Sequence, residues 1–159
     1  MKHVPSEKYS IAWFKLSECV ARGEKERALG VYKLLSYSID DPAFLLQLEG
    51  DLLLAFEDRK SIKKYLEAAW MYKKAQRFIE AAAIYEHLIE LQPDSEDHII
   101  SLIILYNFLK FTERMHERIR DAVERFSDHD DKKKLNAFLI KLQEEYPEGH
   151  KMACVFLKR

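Results

Sequence analysis

The sequence predicts an all-α fold of about eight helices laid down at a constant step, and three observations carry that expectation. Glycine and proline number only four each among 159 residues, which leaves little material for hairpin turns. Apolar residues recur at helical rather than alternating spacing throughout. Residues that break helices divide the chain evenly: Gly23, Asp40-Asp41-Pro42, Glu57-Asp58, Gln76-Arg77, Gln92 through Ser95, Phe111-Thr112 and Ser127 through Asp131. Helix starts are expected near residues 8, 24, 42, 60, 78, 95, 113 and 131. With 48% hydrophobic content there is ample material for a core, and the length suits a single domain spanning 1–159.

The first helix carries Trp13, Leu16 and Val20 and stops at Gly23; the second carries Ala28, Tyr32 and Leu35. The third has the sharpest start, because Asp41 is an N-cap acceptor and Pro42 sits at the first helical position, where its missing N–H costs nothing. Asp58 can cap the fourth helix, whose expected core face is Ile62, Tyr65, Ala69 and Tyr72. The fifth carries Ala81, Tyr85 and Leu88 and ends before Pro93. Asp94 or Ser95, Thr112 and Asp130 can cap the sixth, seventh and eighth. The sixth is apolar on nearly every side from Ile99 to Leu109, so it is expected to be enclosed, with the core centred near Ile103. After Tyr146-Pro147-Glu148-Gly149 the chain restarts as His150 through Leu157, a short capping helix for the last apolar face.

Successive starts differ by 16 to 18 residues, so alternate helices are offset by about 35. Within this array Tyr65, Ala68, Ala69, Tyr72, Ala81, Tyr85, Leu88 and Pro93 fall at the offsets of one helix-turn-helix unit and resemble a tetratricopeptide repeat (TPR). Trp13, Leu16, Ser17, Val20, Gly23, Ala28, Tyr32 and Leu35 resemble another, one residue short. The first stretch makes the fourth helix the opening helix of a hairpin, the second makes the odd-numbered helices so, and Gly50 with Leu46 and Leu53 favours the odd phase. The resemblance implies a right-handed α-α superhelix, a TPR-like solenoid with a concave side. It also implies a non-catalytic protein-interaction module or scaffold that binds a peptide or helix in that groove. Alternatives are a small TPR-type chaperone of a secretion system and a self-associating structural helical protein.

Twenty-six basic residues nearly balance 27 acidic ones for a net charge of −1, which offers no general attraction to nucleic acid or anionic membrane. Pentatricopeptide RNA readers share the period but need recurring base-reading polar residues and usually a basic face. The asparagine and lysine clamp of TPR co-chaperones is not matched either, since the only asparagines are Asn107 and Asn136, outside the recognisable repeats. Cys19 and Cys154 lack metal-type spacing, which suits a reduced cytoplasmic protein. Met1 to Ser10 has no apolar signal region, and the run Ile99 to Leu105 is far short of the ~20 residues that span a bilayer.

No residue set announces an enzyme, and no cofactor is expected. Glu113 and His116 form a single Glu-x-x-His pair, where di-iron bundles use two with further carboxylates. Asp128, His129, Asp130 and Asp131 lack the glycine and terminal glutamate of a calcium loop and read as helix capping. The sharpest candidate is a flank of the fourth helix: Lys63, Leu66, Trp70, Lys73 and Lys74, with Arg77 beyond them, set away from the core face at about 100° per residue. An aromatic ringed by cations suits an acidic or amphipathic peptide, with Trp70 as anchor and the lysines as steering rim. The plainer alternative packs Trp70 on the next helix and leaves the lysines to solvate an exposed face.

Overall fold

The computed structural model describes residues 7–128 and 132–158, which form nine α-helices and no strand. They are α1 Glu7–Ala21, α2 Lys25–Ser36, α3 Pro42–Ala55, α4 Lys60–Lys74, α5 Phe78–Leu91, α6 Glu96–Phe108, α7 Thr112–Asp128, α8 Lys132–Glu145 and α9 Pro147–Phe156. Each of the first eight begins within one residue of the start expected from the breakers. Glu7 and Pro42, Lys25 and Lys60, and Pro42 and Phe78 lie 35, 35 and 36 residues apart, so the repeat period holds. The chain divides into two compact units, Met1–Ala75 and Gln76–Arg159.

In the first unit α1 packs on α2, and α3 packs most extensively on α4. Leu16, Cys19, Ala28, Leu35 and Leu52 form the core under the first hairpin. The close approach of α3 and α4 rests on small residues: Ala68 and Ala69 have no exposure, and Gly50 is buried beneath Tyr65. A Cβ at position 50 would lie 2.9 Å from the Tyr65 ring. The Tyr65 hydroxyl donates to Asp51 Oδ1 at 2.7 Å and the Tyr72 hydroxyl to Gln47 Oε1 at 2.8 Å, so both tyrosines bury their rings and satisfy their polar tips on α3. Ser61 rather than Ile62 completes this buried face; Ile62 is half-buried.

The Asp41 carboxylate accepts from the Phe44 N–H at 3.0 Å, the expected cap. Asp58 accepts from the Lys60 N–H at 2.9 Å but lies one residue before the cap position, which is Arg59; its other oxygen takes Lys25 Nζ at 2.7 Å and ties the α3–α4 turn to α2. That lysine bond, followed by the backbone bond from Lys60, holds the Asp58 carboxyl below its ordinary pKa.

In the second unit α6 is enclosed by α5, α7 and α8, and Ile103 is fully buried, as its apolar circumference requires. Phe126 and Phe138 join α7 to α8 with ring centroids 5.3 Å apart. Lys134 pairs with Asp94 at 3.2 Å and Lys141 with Asp97, fastening α8 to the start of α6. Asp94 is therefore an ion-pair partner, and Ser95 holds the cap position without a side-chain bond. Thr112 is the first helical residue of α7 instead of its cap, while Asp130 lies outside the described residues. The ninth helix starts at Pro147, three residues before His150, and packs on α7 and α8.

In the first unit the close pairs are α1 with α2 and α3 with α4, as the odd-helix phase requires, while in the second α6 packs on both α5 and α7, and α8 packs more closely on α9 than on α7. The Tyr65 to Pro93 pattern straddles the two units.

Three corners share one construction. Gly23, Glu57 and Lys110 have positive φ of 71°, 55° and 63°. At each, the N–H of that residue and of the next return to the preceding helix: Gly23 to Val20 and Glu24 to Cys19, Glu57 to Leu54 and Asp58 to Leu53, Lys110 to Asn107 and Phe111 to Tyr106. This is the double-bonded left-handed helix ending that satisfies the last free carbonyls.

Candidate functional site

Hydrogen bonding of Tyr65 and Tyr72 to α3 fixes the rotation of α4 and turns Leu66 and Trp70 outward. Trp70 is 56% exposed and Leu66 37%. Lys74 Nζ lies 5.1 Å from the Trp70 ring centroid, a cation over an aromatic face one turn along the helix. Lys63 is exposed and reaches Glu67 at 3.9 Å, a loose solvent pair. Lys73 is half-buried and takes part in an interaction of its own. The five residues thus share α4, with Trp70 and Lys74 in direct contact.

Two features differ from the sequence-based picture. Arg77 lies beyond the end of α4 and pairs with Glu80 at 2.9 Å, so it does not extend the cationic flank. Lys64, which the sequence left unmarked, bridges Glu49 at 3.1 Å and Glu67 at 3.6 Å. Burial pulls its pKa down, but the hydrogen bond and charge of Glu49, with Glu67 behind them, outweigh that and raise it, so Lys64 stays charged. On the α2–α3 side of the same carboxylate, burial followed by the charge and hydrogen bond of Glu49 pushes the Tyr32 hydroxyl up to about 12, and that hydroxyl donates to Leu45 O at 3.0 Å. Glu49 therefore anchors two helices to α3 and leaves the outer α4 flank to Lys63, Lys74 and Trp70.

In the second unit a shallow cleft of about 520 Å³ is lined by Ile79 and by Lys110 through Arg114, with Arg114 over the Phe111 ring at 5.7 Å. Glu113 is exposed, and no group of three or more His, Cys, Asp or Glu able to hold a metal occurs among the described residues. His150 Nε2 and Cys154 Sγ approach to 3.6 Å one turn apart on α9. Cys19 and Cys154 are free thiols. No helix among the described residues is long and apolar enough to cross a membrane.

These features define a class: an all-α array of helices at a step of about 35 residues per pair, with an exposed aromatic among cations. No family model matches the chain. A stretch of 70 residues, 44% of the chain, is 26% identical to part of a Drosophila melanogaster protein described as "BBSome complex member BBS4 homolog", and spans only 14% of that protein's length. Among solved structures, "MamA RS-1 ArsTM double mutant" aligns over 98% of this chain and 97% of its own at 15% identity, with a TM-score of 0.37, too loose a likeness to carry an argument.

Proposed function

We propose that this chain is a non-catalytic protein-interaction scaffold, and that the α4 flank of Lys63, Leu66, Trp70, Lys73 and Lys74 receives an acidic or amphipathic segment of a protein partner. One observation carries the reading: Trp70 is 56% exposed beside an exposed Leu66, with Lys74 stacked on its ring. A tryptophan that stays half in water is an anchor awaiting a pocket, because its burial on binding releases more apolar surface than any other side chain offers. The surrounding lysines speed encounter with negative charge and discriminate against basic partners. The helical-repeat architecture supports the reading, since stacked hairpins present continuous surfaces to other proteins. The repeat resemblance and the free thiols fit a single interaction domain working in a reducing cytoplasm.

The test is capture of partners from native extract on immobilised wild-type chain and on Trp70→Ala and Lys74→Glu variants of equal helicity. The expected outcome is a protein retained by wild type and lost from Trp70→Ala, with Lys74→Glu weakening retention more at low salt than at high salt. Equal retention on all three would remove the α4 flank as the binding surface.

A further inference from the structure

The outer face of the first hairpin is built for contact, and the α4 flank does not account for it. Helices α1 and α2 enclose an open cleft of about 540 Å³ whose lining includes buried Cys19 and exposed Gly30. At Gly30 an added Cβ would meet nothing within 4 Å, whereas at Gly50 a Tyr65 ring occupies the corresponding space. The cleft is polarised along its length. Gly23 turns α1 back into α2, so the end near the turn carries Glu18 and Arg22 of α1 beside Glu24 and Arg27 of α2. Away from the turn Lys15, Val31 and Leu34 line the cleft, and Ile11, Phe14 and Tyr37 follow within one helical turn along the same elements; Ile11, Phe14, Leu34 and Tyr37 are 54%, 69%, 68% and 76% exposed. Ile11 and Phe14 lie four residues before the lining residues Lys15 and Glu18, and Tyr37 lies three after Leu34, so helical spacing puts all four on this face, more than scattered surface residues.

We propose that this face is a self-association surface on which two copies of the chain meet hairpin to hairpin, with α1 of one copy opposite α2 of the other. The charges select a second copy as the occupant. Within one copy Glu18 pairs with Arg22 at 2.6 Å and Glu24, which is partly buried, with exposed Arg27 at 2.7 Å. A two-fold axis parallel to the helices keeps each level of the hairpin opposite the same level of its partner. Glu18 then faces Arg27 of the other copy, Arg22 faces Glu24, and the two internal pairs merge into a four-charge network at each side. The apolar level meets itself with the long exposed Lys15 side chain at its border, and the net charge of −1 puts no long-range repulsion in the way. Two helices about 20 Å long and about 10 Å apart give a flat footprint of roughly 400 Å² and somewhat more along the contoured surface. That falls below the ~800 Å² per partner of a standard stable interface, so the dimer is a weak one that forms over micromolar concentrations.

Sedimentation equilibrium of the full chain from about 5 to about 500 μM tests this in the affinity range such an interface gives. The expected result is a mass that rises from one chain to two across the range. Leu34→Glu buries a charge in the apolar level and should weaken association at least about 30-fold at unchanged helicity. Arg27→Glu should also weaken it, and adding Glu18→Arg in the same chain should recover it, because the cross-copy pair is then restored with reversed sign. A wild type that stays monomeric throughout overturns the proposal and leaves the face to a different protein. A dimer that Leu34→Glu does not weaken places association elsewhere and equally overturns it. Failure of Glu18→Arg to rescue Arg27→Glu refutes the α1-against-α2 alignment.

Discussion

Replacing Gly50 with alanine should destabilise the first unit, against the ordinary expectation for a glycine in mid-helix. In an exposed helix interior Gly→Ala gains about 1 kcal/mol through reduced backbone entropy. At position 50 the new methyl would come 2.9 Å from Tyr65 Cδ1 and Cε1, where carbon contacts settle at about 3.5 to 4.0 Å. The ring would have to retreat by a large fraction of an ångström. It cannot do so freely: Tyr65 is 1% exposed, its hydroxyl is tied to Asp51 at 2.7 Å, and fully buried Ala68 and Ala69 follow it on the same helix. Overpacking of this kind costs about 1 to 3 kcal/mol, so the net change is a loss of about 1 kcal/mol, or about 2 to 4 °C in Tm. The assay is urea unfolding followed by far-UV circular dichroism, run for Gly50→Ala in the native background and in Tyr65→Leu. With the ring gone the clash goes too, and the same substitution should stabilise by about 1 kcal/mol, a coupling of about 2 kcal/mol between the two sites. Gly50→Ala that stabilises equally in both backgrounds would refute the close α3–α4 contact.

Asp41→Ala removes the carboxylate that caps α3 and should cost about 1 kcal/mol in the same unfolding assay, with Asp41→Asn losing much less. Ala69→Leu, at a site with no exposure, should cost about 1 to 3 kcal/mol; an unchanged midpoint would mean that this face of α4 is not packed. Burial holds His98 below its ordinary pKa of about 6.5, so the unfolded chain takes the proton first as pH falls. Stability should therefore be complete above about pH 7.5 and decline as pH falls through about 6.5, and His98→Leu should flatten that slope between about pH 7.5 and 5.5. Trp70→Ala should change folding stability by less than about 1 kcal/mol, since the side chain is 56% exposed, yet weaken partner retention by about 2 kcal/mol; the reverse outcome would assign Trp70 to packing.

Fold class and helix boundaries were legible because helix breaks in this chain are local chemistry. Asp41-Pro42 announces a start through a proline whose φ is already helical and opens α3, whereas Pro147 plays the same part for α9, where the sequence reading starts the helix at His150 instead. Rotation of a helix about its axis was legible to within one residue on α4, where the tyrosine and alanine pattern found the core and only Ser61 took the place expected for Ile62. Capping was legible where the cap serves its own helix and illegible where a tertiary partner competes for it, as Lys134 does for Asp94. The apolar end of the first hairpin was hidden for a different reason. Ile11, Phe14 and Leu34 are spaced like core residues, and periodicity alone cannot say on which of two apolar sides a neighbour sits. Pairing of adjacent helices was ambiguous because two different stretches imitate the same repeat, and the choice rests on long-range contacts such as Tyr72 with Gln47.

The corners at Gly23, Glu57 and Lys110 separate how a repeat is built from how it is written. Each returns the same two backbone N–H groups to the same two carbonyls, although one centres on a glycine, one on an acid and one on a base. Main-chain atoms hold the bend, and a non-glycine residue at positive φ adds a local strain that the surrounding helices can bear, so the same geometry is met with three chemically different side chains. What marks such a corner is therefore a backbone conformation, and a search for one residue type would find the first of the three and miss the other two, although the helices on either side keep the same 35-residue cadence.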